Sequence, residues 1–208
     1  MKGKSIFAAV VLPVAALCGC SSNNQFANEV AGSWASNEIR VEMPAPEIVN
    51  ITDLFDFTLD EAANATGGTV ILSGQLSVET PAQGDEVDMT YAYSAAATAT
   101  MSGTWSVVKD DDGTDDEILI MLDPSTFTVN VDPDAVVMRS NILTDEQSPA
   151  VDSIPPVLLN KVRTIVTHAA ERHFLSFREL DDVKINKSVM SFEVKDVAYR
   201  LERQGAAQ

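Results

Sequence analysis

The sequence predicts a single, mainly β domain. It is an antiparallel sheet closed, or nearly closed, into a barrel of about eight strands, with one amphipathic helix inserted before the last strands. Three observations carry this. Apolar and polar side chains alternate at period two in several stretches. Only one stretch, residues 156–175, repeats its apolar positions at spacings of three and four. Gly32, Gly74 and Gly103 fall inside alternating segments, where a sharply curved sheet has use for them. One late helix cannot supply the crossovers of a parallel sheet, which excludes a parallel α/β fold.

The chain opens on an export leader. Lys2 and Lys4 make a short basic start, and Ile6 to Leu17 form an almost unbroken apolar run. That run is shorter than the roughly 20 residues a membrane-spanning helix needs. It ends in Leu17-Cys18-Gly19-Cys20, followed by Ser21-Ser22-Asn23-Asn24. This resembles a bacterial lipobox, which implies cleavage before Cys20 and a thioether-linked diacylglycerol on its sulfur. The expected organisation is a signal peptide over 1–19, a polar lipid-anchored tether over 20–28 and a folded body over 29–208. No Asp follows Cys20, which by resemblance to enterobacterial sorting implies the outer membrane. Several acyl chains, each buried methylene contributing about 0.8 kcal/mol, would make the anchoring durable.

The body then reads strand by strand. Val30, Gly32 and Trp34 share one parity and Ile39, Val41 and Met43 the other, so a bulge or kink is expected near Ser36-Asn37. Phe55, Phe57 and Leu59 form the next candidate, closed by the turn Asn64-Ala65-Thr66-Gly67-Gly68. Val70, Leu72, Gly74, Leu76 and Val78 alternate with polar neighbours. Met89, Tyr91 and Tyr93 start another strand, and Ala97, Ala99, Met101, Gly103, Trp105 and Val107 a longer one. Ile118 to Leu122 and Phe127-Val129-Val131 follow, separated by the Asp123-Pro124 turn. Val183 with Ile185 and Val189 to Val194 form a hairpin through Asn186-Lys187-Ser188, and Val197, Tyr199 and Leu201 close the sheet.

Pro155-Pro156 favours a helix start, and Leu158, Val162, Ile165, Val166 and Ala169 make one apolar stripe ending near His173 to Leu175. Residues 141–156 read as a Ser/Asp/Pro-rich crossing loop.

Composition narrows the function. The 208 residues carry 14 Lys plus Arg against 31 Asp plus Glu, a net charge of -17 that becomes -19 when Lys2 and Lys4 leave with the leader. Such a surface does not suit nucleic acid, and it disfavours anionic ligands near the barrel rim. Both cysteines lie at the end of the leader, so the body has neither thiol chemistry nor a disulfide. His168 and His173 are five apart, about 140 degrees around a helix, and do not share a face. They read as partly exposed helix residues rather than metal ligands. Asp110 to Glu117 resembles a calcium loop, but aligning Gly113 with the EF-hand glycine leaves Val108 and Leu119 where carboxylates are required. It reads as a charged hairpin loop, with calcium binding of another kind left open. No nucleophile elbow and no phosphate cradle occur, and no acid pair has catalytic context. The expectation is a non-enzymatic protein with no catalytic residues, no metal and no cofactor.

Val30-Ala31-Gly32-Ser33-Trp34, a glycine-x-tryptophan opening the first strand after a lipoprotein tether, resembles the lipocalin-like lipoproteins of Bacteroidetes. Phe127-Thr128-Val129 resembles their mid-barrel strand, and Val197-Ala198-Tyr199-Arg200-Leu201-Glu202-Arg203 their closing strand. The resemblance implies that Trp34 closes one barrel end beside a late cation, Arg203 or Arg200. It also implies a cell-envelope protein, held in the membrane through Cys20, that binds a small apolar or amphipathic ligand. Trp34, Phe57, Leu72, Leu76, Met101, Trp105 and Phe127 would line that site. The alternative is a structural or protein-interaction lipoprotein whose barrel is filled by the same residues and whose loops meet an envelope partner. A helix placed before the last strands departs from the family pattern and is expected to plug one mouth.

Overall fold

In a two-faced strand every second side chain enters the core, and the alternation in the sequence sets which ones do. A computed structural model describes residues 20–44, 46–62, 64–80, 91–109, 116–140 and 156–205. Eleven strands form one sheet: β1 (Gly32–Ser36), β2 (Ile39–Val41), β3 (Ile48–Leu59), β4 (Gly67–Glu79), β5 (Tyr91–Lys109), β6 (Asp116–Leu122), β7 (Thr128–Val131), β8 (Val137–Ser140), β9 (Glu179–Asn186), β10 (Val189–Val194) and β11 (Val197–Arg203). Two α-helices, α1 (Cys20–Val30) and α2 (Pro156–Phe174), complete it.

All the pairings are antiparallel. The order β1-β11-β10-β9-β6-β5-β4-β3 returns to β1, because β1 pairs with both β11 and β3 and so closes an eight-stranded barrel. Trp34 is the seam, opposite Arg203 on one side and Phe55 on the other. The expected kink is real: β1 and β2 run along the same edge of β3 with a break at 37–38, and inward parity passes from Trp34 and Ser36 to Val41. At the break the Ser36 hydroxyl accepts the backbone N–H of Asp53 at 2.8 Å, replacing a lost ladder bond.

β3, β4 and β5 outrun the barrel. Their far halves join β2, β7 and β8 into a curved extension, and Tyr91–Lys109 is one continuous strand rather than two. The concave face of this extension holds α2, which packs on β7, β4, β5 and β3. Its buried stripe is Val162, Val166, Ala169, Ala170, His173 and Phe174. The small inward residues Ala95, Ala97 and Ala99 of β5 and Gly74 of β4 leave room for it. A Cβ on Gly74 would lie 2.6 Å from Ile51 Cδ1 and 3.2 Å from Phe174 Cζ.

The tether expected over 20–28 is helical. α1 lies at the opposite barrel end, against β5 and β3, with Ala27 and Val30 fully buried and Asn24 donating to the Ala65 carbonyl at 2.9 Å. The expected leader over 1–19, the crossing loop over 141–155 and most of the acidic loop, 110–115, lie outside the described residues. Among the described residues no helix is long and apolar enough to cross a membrane.

Candidate functional site

The sequence-predicted lining residues all come from inward positions. Trp34, Phe57, Leu72, Leu76, Met101 and Trp105 are buried, and Phe127 is partly buried against the core. They touch one another and the helix rather than a common space. Phe57 meets Trp105 edge-on at 5.3 Å, Phe55 stacks on Phe57 at 5.9 Å, and Phe127 meets Phe174 at 6.4 Å. The Trp105 indole N–H donates to the Thr58 carbonyl at 3.1 Å. Leu76 also borders a groove of about 490 Å³ and Trp105 a cleft of about 740 Å³, two different places on the barrel.

Inside the mouth filled by α2 lies a polar pair. Asp53 occupies an inward position of β3 between Ile51 and Phe55 and is fully buried. Its Oδ2 is 2.8 Å from His173 Nε2, on the last turn of α2. Asp53 Oδ1 has no hydrogen-bond partner among the described residues, and an unsatisfied buried carboxylate oxygen is costly. His173 is therefore a buried, paired residue, which corrects the expectation that both histidines are partly exposed; His168 alone is exposed. The physical reason is that the stripe through Val166, Ala169 and Ala170 extends one more turn, and an inward carboxylate is there to meet the ring.

Aromatic rings wall the pair. Phe177 stands edge-on to His173 at 4.9 Å, to Phe55 at 5.0 Å and to Tyr199 at 5.4 Å, and Tyr199 stacks on Phe192 at 5.4 Å. Burial, reinforced by the charge of Asp53, pushes the Tyr199 phenol above its ordinary range, so it stays a neutral donor.

His173 and Tyr199 open onto a cleft of about 420 Å³, bordered by β2, the end of α2 and the β10–β11 turn. Its lining mixes Val41, Leu175, Val194 and Val197 with Arg40, Arg172, Lys195, Ser176 and one carboxylate, Glu42. A second cleft of about 520 Å³ adjoins it, sharing Arg172 and Leu175 and adding Met43, Pro44, His168 and Glu171. Elsewhere, oxygens of Glu117, Glu179 and Asp181 lie within 4.8 Å of one another on neighbouring strands, forming an acidic cluster.

Sequence reasoning missed Asp53 and His173 as partners. A signal for Asp53 exists: it is an acid at inward parity in Ile51-Thr52-Asp53-Leu54-Phe55, visible once the strand is begun before Phe55. Comparison with models of known protein families and with curated proteins finds no match.

Proposed function

We propose that this chain is a lipocalin-like lipoprotein of the bacterial cell envelope, acylated at Cys20, held in the outer membrane, and acting by binding a small amphipathic ligand without chemistry. The observation that carries the binding role is the pair of adjoining clefts at the α2 mouth, one with a polar floor at His173 and the other bordered by Met43, Pro44 and Leu175. Together they lie in the size range of small-molecule sites. The seat is this mouth, because the inward set from Trp34 to Phe127 packs on itself and on α2. The anchor is supported by Leu17-Cys18-Gly19-Cys20 and by α1, eleven residues or about 16 Å of helix between Cys20 and the first strand, which would hold the barrel close to the acylated residue.

A second reading, a protein-interaction lipoprotein with a filled barrel, draws support from Ile71, Leu119 and Met121, which expose apolar surface on the outer face of β4 and β6. Two measurements test the proposal. Mass spectrometry of the membrane-extracted protein should show an acylated Cys20, and an unmodified thiol there would end the anchor. Leu175→Glu, at the junction of the clefts, should abolish binding of octyl-chain amphiphiles. Unchanged binding would move the site elsewhere, and absence of binding to the unaltered protein would favour the second reading.

A further inference from the structure

From the charges around the mouth, and resting on the ligand-binding reading above, we infer that the ligand is a single-chain amphiphile with an anionic head, carboxylate or phosphate. Arg40 of β2, Arg172 of α2 and Lys195 of the β10–β11 turn come from three separate elements and border one cleft, against the single carboxylate Glu42. None of the three has a carboxylate within ion-pair distance among the described residues. In a chain of net charge -17 the acids outnumber the cations more than two to one, so three unpaired cations around one concavity run against the composition.

The floor agrees with the rim. His173 borders the cleft with its ring tied to a fully buried carboxylate, an arrangement that fixes the orientation of the imidazole. Tyr199 adds a neutral phenol able to donate, while the Ser176 hydroxyl already donates to the His173 carbonyl at 2.6 Å. Arg172 and Leu175 belong to both clefts, so a head held by Arg172 leaves its chain running along Leu175 toward Met43 and Pro44. Glu171 and His168 border only the second cleft. The overall charge disfavours anions at long range, and the local cations reverse this at contact distance, where screening by solvent and salt is weakest.

The test is calorimetric titration of the full chain, held in neutral-lipid nanodiscs, with octanoate, octyl phosphate, octylammonium and 1-octanol, empty nanodiscs giving the partitioning background. Octanoate and octyl phosphate should bind at least about tenfold more tightly than octanol. Arg172→Gln should erase that preference, and Arg172→Lys should keep much of it, which separates charge from folding. An anionic preference that vanishes when the nanodisc carries anionic phospholipid identifies membrane headgroups as the source of the anion; one that persists identifies a free amphiphile. Octylammonium or octanol binding as tightly as octanoate overturns the anionic assignment and leaves the amphiphile reading standing. Binding of none of the four overturns both.

Discussion

The guanidinium of Arg203 lies 4.0 Å from the centre of the Trp34 ring. Of the two arginines put forward from the sequence, this is the one that meets the tryptophan. The same group donates to the Ala31 carbonyl at 2.8 Å and to the Glu29 carbonyl, while the Trp34 indole N–H donates to the Val30 carbonyl at 2.7 Å. Carbonyls at the C-terminal end of α1 are thus satisfied by the two residues that face each other across the barrel seam.

Arg203→Ala should therefore loosen both the seam and α1. A cation–π contact plus two charge-assisted hydrogen bonds suggests a loss of about 2–3 kcal/mol, read as a lower urea midpoint with the slope unchanged. Arg203→Lys keeps the charge and loses the fork, so it should fall between. Equal stability of all three proteins would remove the cap from the account.

Gly74 makes a second case. Gly74→Ala places a methyl group against Ile51 Cδ1 and Phe174 Cζ, an overpacking that costs about 1–3 kcal/mol. Ile51→Val removes the methyl that would clash, at about 0.5–1.5 kcal/mol by itself. The double variant should then be more stable than the sum of the two losses, and strict additivity would show that Ile51 does not press on Gly74 here.

A third prediction concerns the ion pair that pins the start of α2. Lys161 Nζ lies 2.6 Å from Glu47 Oε1, the Tyr93 hydroxyl donates to the same oxygen at 3.3 Å, and the ammonium stands 5.5 Å over the Tyr93 ring. Burial by itself would raise Glu47, but the hydrogen bond and charge of Lys161 hold it below its ordinary 4.5. Lys161 is raised above its ordinary 10.5, chiefly by the hydrogen bond to Glu47. Each shift favours the charged form. The contribution of Glu47 is therefore present above about pH 4.5 and lost as pH falls through its lowered value; that of Lys161 is present below about pH 10.5 and lost as pH rises beyond. The Lys161 side chain is 44% exposed, so solvent screens the pair and Lys161→Met should cost only about 0.5–1 kcal/mol at pH 7. As pH falls below 4.5 and through the lowered value of Glu47 the gap to the unaltered protein should close, and a gap that persists in acid would mean that the lysine stem, not its charge, holds the helix.

Much of this architecture is legible in the residues. Val70 to Val78 and Ala97 to Val107 alternate cleanly because one face of each strand is core, and their inward parity is the one observed. The α2 stripe is equally plain through Ala169. Three things are not legible, each for a physical reason. α1 is rich in Ser and Asn, poor helix formers, and it is held by burial of Ala27 and Val30 and by Arg203, far along the chain. The first half of β3 is masked by Asn50, Thr52 and Asp53, since a buried acid interrupts the apolar alternation. Whether an inward residue faces a hollow or a neighbour depends on where α2 lies, and Trp105 and Leu72 have the same pattern in either case.

The last prediction tests the pair at the heart of the mouth. Asp53 and His173 bring a carboxylate and an imidazole into a core of Phe55, Phe177, Phe192 and Tyr199, with one oxygen unsatisfied among the described residues. Removing one partner of a buried polar pair strands the other, at a cost of about 3–5 kcal/mol, whereas replacing both by apolar groups of similar volume is often neutral or stabilising. His173→Leu should thus be strongly destabilising, because it leaves Asp53 buried without its donor. The double variant Asp53→Leu/His173→Leu should be more stable than His173→Leu alone. Chemical denaturation of the four proteins closes the cycle, with an expected coupling of about 2 kcal/mol or more. If the double variant matches or exceeds the unaltered protein while losing affinity for octanoate, the pair is kept for binding at the expense of stability. A double variant no more stable than His173→Leu would show that the two side chains act independently, and the floor of the cleft would then need another description.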